Sequence, residues 1–398
     1  MSDSNAPAFS RASRRAIVIG VIGIAAAAGI GLATDSHRLA WSGLISFNYW
    51  LGIALGSMAL MMLHQLSGGR WGVVVRRPLE AAASTVPLLG GVFLLLMLLG
   101  MDTLYHWSDA SYVEGDHILE HKQFYLNVPF FAVRAAIYFA VWWGLTAIFR
   151  SLSAKQDSSD DPKIQDRLRT LSAPGIVAYV LTITFASVDW VMSLDAHWFS
   201  TIFGVLTLGG HGLSALAFVV AVVVLLARCE PIASVVKPLN YHDLGKLMLA
   251  FVMLWAYFNL SQFLIIWAGN LPEEIPWYMR RMVGHWKWLG LGLVFGHFAF
   301  PFLLLLSADL KKRGRTLSKV ALLVLVMRAV DLIWLIAPEF HGKEDHGWVG
   351  GIAMDVAAIV GLGGLWVAWF VRTLQKRPLI PTHEPNLAAL QATKEGGH

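Results

Sequence analysis

The run TFASVDWVMSLDAHWFS, residues 184–200, puts Asp189 inside an apolar stretch of membrane length and follows it with Asp195 and His197, amid two tryptophans. A charged side chain at bilayer depth costs about 2.5 to 3.5 kcal/mol on insertion scales, so something nearby must offset it. Arg134 lies on the preceding apolar run, and both residues sit roughly 10 Å in from the same end at 1.5 Å per residue. They are the expected ion pair. Arg328 and Asp331 repeat the chemistry at a spacing of three, which lets them pair on one helix. His211, His297, Asn259 and Gln262 fall near the middle of their runs, and His64, Gln65, Glu80, Lys246 and Asp309 near the opposite end.

Together these groups form a ladder across most of a bilayer, with gaps that water could fill. Proton relays are built this way. The candidates for such a path are Asp189, Arg134, Asp195, His197, Arg328, Asp331, His211, His297, His64 and Glu80, with Asp195 and His197 as the exit. The structural alternative is that each group is merely paired or faces a headgroup, which fits Glu80, Lys246 and Asp309 near the interface. For Asp189 and Arg134 it fits less well, because a buried pair adds little stability. His211 and His297 could in principle ligate a b-type haem, but a membrane histidine more often bonds a neighbour, and no haem is expected. No metal site is expected either.

The elements that must position these groups follow from composition. The chain is 56% hydrophobic with 14% charged residues and a mean hydropathy of +0.58; soluble domains carry about 25% charge. Ten apolar runs are long enough to span, near 16–33, 43–66, 79–101, 127–149, 171–195, 200–227, 245–268, 285–308, 317–337 and 349–372. Lipid offers the backbone no hydrogen bonds, so the runs must be helices. The expected fold is an all-α integral membrane protein.

The net charge of +5 reflects topology rather than nucleic-acid binding. With the N-terminus inside, 23 of the 31 Lys and Arg fall on the cytoplasmic side, and Arg38, Lys122, Arg280, Arg281, Lys287 and Lys343 on the other. The positive-inside rule then puts both termini in the cytoplasm. The first run resembles a signal peptide, but it is membrane-length and another apolar run follows it at once, so it is expected to be retained. Cys229 is the single cysteine, which excludes an internal disulfide and a four-thiolate iron-sulfur cluster. No phosphate-binding loop, dinucleotide fingerprint, H-E-x-x-H or C-x-x-C-H is present.

ASVDWVMSL around Asp189 and RAVDLIWLI around Asp331 share a Val-Asp pair four spans apart. A duplicated four-helix unit would keep its orientation. The expectation is one transmembrane domain over 16–372, with bundles at about 43–195 and 200–337, peripheral helices at 16–33 and 349–372, and cytoplasmic tails at 1–15 and 373–398. The connection SLSAKQDSSDDPKIQDRLR is expected to be solvated, and the one over 102–127 to be ordered against something.

Four strings, FYLNVPFFAVRAAIYFAVWW (124–143), TFASVDWVMSLDAHWFSTIFG (184–204), HDLGKLMLAFVMLWAYFNLSQFLIIWAGNLPEE (242–274) and WKWLGLGLVFGHFAFPFLLLLS (286–307), resemble the F subunit of bacterial alternative complex III. That complex is a quinol:cytochrome c oxidoreductase. More distantly, they resemble membrane subunits of polysulfide-reductase and nitrite-reductase-type complexes. The resemblance implies a ten-helix subunit of a bacterial inner membrane beside a homologous membrane subunit, with iron-sulfur and haem c on outer-face partners, menaquinone or ubiquinone as the quinone, and His64, Glu80, His211 and His297 as the candidates for binding it. A secondary transporter is the alternative from another class, but Pro87 and Pro301 do not correspond under the Asp189/Asp331 alignment. A structural anchor of the same complex is the third reading. A reporter fused after Arg377 is expected to read cytoplasmic and one inserted near Glu114 external; the reverse would invert the depth ladder.

Overall fold

The computed structural model describes residues 6–341 and 348–384. Ten helices in it are long and apolar enough to cross a membrane: α1 Pro7–Ala33, α2 His37–Ser67, α3 Trp71–Leu104, α4 Val128–Ser158, α5 Pro162–Leu194, α6 Phe203–Leu226, α7 Pro238–Gly269, α8 Trp286–Leu306, α9 Gly314–Phe340 and α10 Val349–Gln375. No strand occurs among the described residues. Short polar motifs start these helices. The Asn127 side chain accepts from the Phe130 amide and Asp161 from Lys163, each just before a proline in the first turn, where its missing N–H costs nothing. Asn270, in the left-handed conformation, ends α7.

α2–α5 close one four-helix ring and α6–α9 a second. The rings meet along α2 and α6, the two most buried spans. A Cβ on Gly52 of α2 would stand 3.0 Å from the His211 ring of α6, and one on Gly56 would collide with the His211 carbonyl. The helices therefore approach at backbone distance, the usual device where lipid removes the hydrophobic drive between them. α1 packs on α10 outside the rings, and α10 on α2.

The connections alternate between two faces. One carries the short helices Ala110–Val113, His117–Lys122 and Ile275–Arg281 and is called the capped face; the other holds most of the Lys and Arg and is called the basic face. Several helices run beyond the apolar windows. α2 begins at His37, so Arg38 is a buried span residue rather than a loop cation, bonded to Asp355 of α10 at 3.1 Å beside the Ser42 hydroxyl. The expected solvated connection between α4 and α5 is mostly helix, because Leu152, Ile164 and Leu168 continue the buried stripe past the lipid-length run. The first span begins within the expected N-terminal tail, since helix extends from Ala6. Lys343 and residues 385–398 lie outside the described residues.

α3 breaks at Ser84 and Thr85, whose hydroxyls donate to the carbonyls of Ala81 and Ala82. α8 contains a π-helical segment, Leu293–Ala299, that includes His297. At the α1–α10 contact, a Cβ on Gly23 would lie 2.6 Å from the Gly361 amide nitrogen. Backbone cannot yield as a side chain can, so Gly23→Leu is expected to cost roughly 1 to 3 kcal/mol and to lower the thermal unfolding midpoint in detergent. Gly29→Leu, where a Cβ meets nothing within 4 Å, is the neutral control.

Candidate functional site

The first predicted pair forms as predicted. Arg134 of α4 grips Asp189 of α5 through two hydrogen bonds, Nε to Oδ2 and Nη2 to Oδ1, both 2.9 Å. Tyr138, one turn along α4, donates to Oδ2 at 2.7 Å. The third guanidinium nitrogen donates to the Tyr125 carbonyl, and the rings of Tyr125 and Phe130 lie 3.9 and 4.4 Å from the guanidinium carbon. Such bidentate, charge-assisted bonding is the strong form of ion pair. Next to it Trp190 packs among Phe47, Phe93, Tyr138, Phe139 and Trp142. Asp189 is saturated with donors and walled by aromatics.

The second pair has a different setting. Arg328 bonds Asp331 within α9, and Trp255 of α7 donates its indole N–H to the same carboxylate at 2.9 Å. Gly210 of α6 makes room for the guanidinium, which any Cβ there would strike. The next residue, His211, shares a 3.2 Å hydrogen bond with the Tyr179 hydroxyl of α5. Between the rings lies a cavity with about 30 Å³ open to water centres, and its polar lining is Asn48, Thr207, His211, Asn259, Arg328 and Asp331. That is room for about two waters and ample hydrogen-bonding partners to hold them.

His297 stands behind the cavity wall. Its ring stacks on Trp255, centroids 4.2 Å apart, and it is fully buried. Neither ring nitrogen closes a hydrogen bond within the protein, although the Met327 backbone lies near. A π-helical turn often marks a functional position, and here it carries a buried titratable group without a firm partner.

Toward the capped face the cavity ends at Val191, Phe203 and Leu335, and above these Trp198 stacks on Trp277 at 4.8 Å. The Trp277 segment is tied down by Arg281. Its guanidinium lies 3.5 Å over the Trp277 ring and donates to the carbonyls of Trp277, Trp334 and Leu335 and to Glu339. Burial pulls this guanidinium down to about 10, so it remains a cation at neutral pH. Asp195 bonds Arg280, and His197 donates to Asp116 at 2.7 Å. The two expected exit residues thus hold the cap together, and the connection over 102–127 is ordered against the segment after α5.

The remaining candidates are on the basic face. His64 donates to the Gly69 carbonyl at 3.0 Å and packs edge-on against Trp71. Glu80 accepts from Arg76, Arg77 and Ser153. The four quinone candidates therefore divide, His64 and Glu80 at one membrane edge and His211 and His297 at the cavity, and no single pocket gathers them. Sequence reasoning missed Tyr138, Tyr179, Trp255 and Asn48. Tyr138 was within reach, since it lies one turn from Arg134 and shares its face; the others depend on how separate helices rotate. Among the described residues no cluster of metal-ligating side chains occurs.

Neither a protein-family model nor a curated protein matches this chain.

Removing one member of the Arg134–Asp189 pair strands the other, so Arg134→Met and Asp189→Ala are each expected to cost about 3 to 5 kcal/mol and to reduce assembly, while the double variant recovers most of it. Chromatographic yield of the folded chain measures this. At the cap, the His197 bond holds the Asp116 carboxyl below its ordinary value. A depressed carboxylate pKa lends stability that is present above the unfolded value and lost as pH falls through the folded one. Hydrogen exchange over residues 110–127 is therefore expected to quicken below about pH 4, and to be quick at neutral pH in Asp116→Ala.

Proposed function

We propose that this chain is an integral membrane subunit of a respiratory quinol:electron-acceptor oxidoreductase of the alternative complex III kind, and that it contributes a proton path through α6–α9. The observation that carries the reading is the polar cavity between the two rings. In the middle of a protein built for lipid, water-sized space is lined by an ion pair, a histidine and two amides, with a second, unpartnered histidine behind one indole. Intramembrane ionisable groups on a water-filled cavity are characteristic of proton-handling proteins. The path in this reading runs from the Arg328–Asp331 pair through cavity water to His211, with His297 as a side store reached when Trp255 shifts.

The rest of the function rests on the four resembling strings and on charge. The basic face is the cytoplasmic one, with both termini there, in a bacterial inner membrane. Iron-sulfur and haem c centres belong to partner subunits on the opposite face, and a homologous membrane subunit lies alongside. A menaquinone or ubiquinone ring would be met against that neighbour rather than in the water-sized cavity. The transporter reading is weakened by the helix breaks: α3 is second in its ring and α8 third in its own, so they do not correspond as repeat-built transporters require.

Two measurements test this. Purified in mild detergent from its native membrane, the tagged chain is expected to bring haem c and iron-sulfur subunits with it; elution alone would remove the respiratory assignment. Within such a complex, Asp331→Asn retains an acceptor for the Trp255 N–H but not the titratable group. It is expected to assemble and to lose proton-coupled quinol turnover by on the order of a hundredfold. Unchanged turnover and proton release would leave a structural anchor.

A further inference from the structure

Apart from the cavity, the densest set of charges in the chain lies at the basic edge of α3, α4 and α10. Arg76 of α3 donates to Glu80, to Gln156 of α4 at 2.7 Å and to Glu384 of the segment after α10. Arg77 donates to Glu80 at 2.7 Å, to Ser153 at 2.9 Å and to Asp157. Arg377 lies 3.5 Å from Glu80 and donates to the Arg150 carbonyl at 2.9 Å. One carboxylate, Glu80, thus serves three guanidiniums. The cluster sets Arg76, Arg77, Arg150 and Arg377 against Glu80, Asp157 and Glu384, so one positive charge is left over.

The excess is localised. Arg76 and Arg77 are buried and bonded to carboxylates, whereas Arg150 and Arg377 are half-buried and close enough for their charges to repel. They flank a shallow cleft whose other walls include Glu80 and Arg77 on the polar side and Ala81 and Leu374 on the apolar side. The cleft is polar at its head and apolar along its flank. The cluster already holds an anion from the segment after α10: the buried Glu384 carboxylate is bonded to Arg76 while its other oxygen has no hydrogen-bond partner.

We propose that the cleft between Arg150 and Arg377 binds a phosphate group at the membrane edge. Both guanidiniums carry donors suited to phosphate oxygens, Arg377 Nη1 having no hydrogen-bond partner while Nη2 is taken by the Arg150 carbonyl, and the group would relieve the repulsion between them. The same chemistry can come from the headgroup of an anionic phospholipid or from free phosphate. The inference does not depend on the respiratory assignment or on the cavity.

The test uses the full chain in a neutral detergent, with binding read by native mass spectrometry and by the thermal unfolding midpoint. Probes are short-chain phosphatidylglycerol, phosphatidylcholine of the same chain length, and inorganic phosphate. Phosphatidylglycerol is expected to bind and to raise the midpoint above the phosphatidylcholine value. If inorganic phosphate displaces it, the headgroup alone suffices; if it does not, the apolar flank selects the lipid. At about fivefold in affinity per basic residue near a membrane surface, Arg150→Gln with Arg377→Gln is expected to weaken phosphatidylglycerol roughly twenty-five-fold. Arg150→Lys with Arg377→Lys keeps the charge and much of the preference, which separates loss of the site from loss of the fold. Equal binding of the two lipids by the unaltered chain, with no binding of phosphate, would overturn the proposal. So would a preference that survives in the glutamine pair.

Discussion

The close approach of α2 and α6 sets the terms for the rest of the molecule. Gly52 and Gly56 let the two most buried helices meet at backbone distance, and the His211 side chain is held in the notch left by Gly52. Everything polar at the centre is then fixed by three consequences of that contact. His211 faces Tyr179 of the neighbouring ring, Gly210 admits Arg328, and Asn48 on α2 completes the wall of the cavity. A side chain at either glycine would strike His211, push the rings apart and so dissolve the arrangement of the other groups.

The two rings answer the same problem, a carboxylate in lipid, in different ways. Asp189 is held by a neighbouring helix: both Arg134 and Tyr138 come from α4, and aromatic rings exclude water. Asp331 draws its arginine from its own helix and its indole donor from another, and this looser ligation leaves one side open to the cavity. A saturated carboxylate has its charge fixed by its partners. One that shares its environment with water can exchange protons at the cost of rearranging a few hydrogen bonds. The two rings therefore differ in wetness at their carboxylates.

How far this was legible depended on the kind of information each feature needs. The ten spans follow from apolar length, and the Arg328–Asp331 pair from spacing along one helix. Arg134 and Asp189 could be matched by equal depth on consecutive helices. Trp255 and Tyr179 could not be found so, because a hydropathy profile fixes depth but not the rotation of a helix about its axis. Arg38 was assigned to a loop because its polar neighbours His37 and Asp35 pull the apolar window inward, while the helix itself starts at His37. Its pairing with Asp355 joins helices eight spans apart, a separation at which sequence distance says nothing. The Glu384–Arg76 contact was hidden for the same reason.

The glycine contact between α1 and α10 bears on the order in which the molecule is built. More than three hundred residues separate Gly23 from Gly361, and at about 5 to 20 residues per second of synthesis the interval between their appearances is on the order of tens of seconds. For that time α1 is a helix in the bilayer with a bare small-residue face and no internal mate. The geometry that later admits α10 is open meanwhile to any other helix with a small-residue face, including the α1 of a second nascent chain. Docking of α10 ends that exposure, so the last spanning helix both completes the bundle and withdraws the first from competing associations.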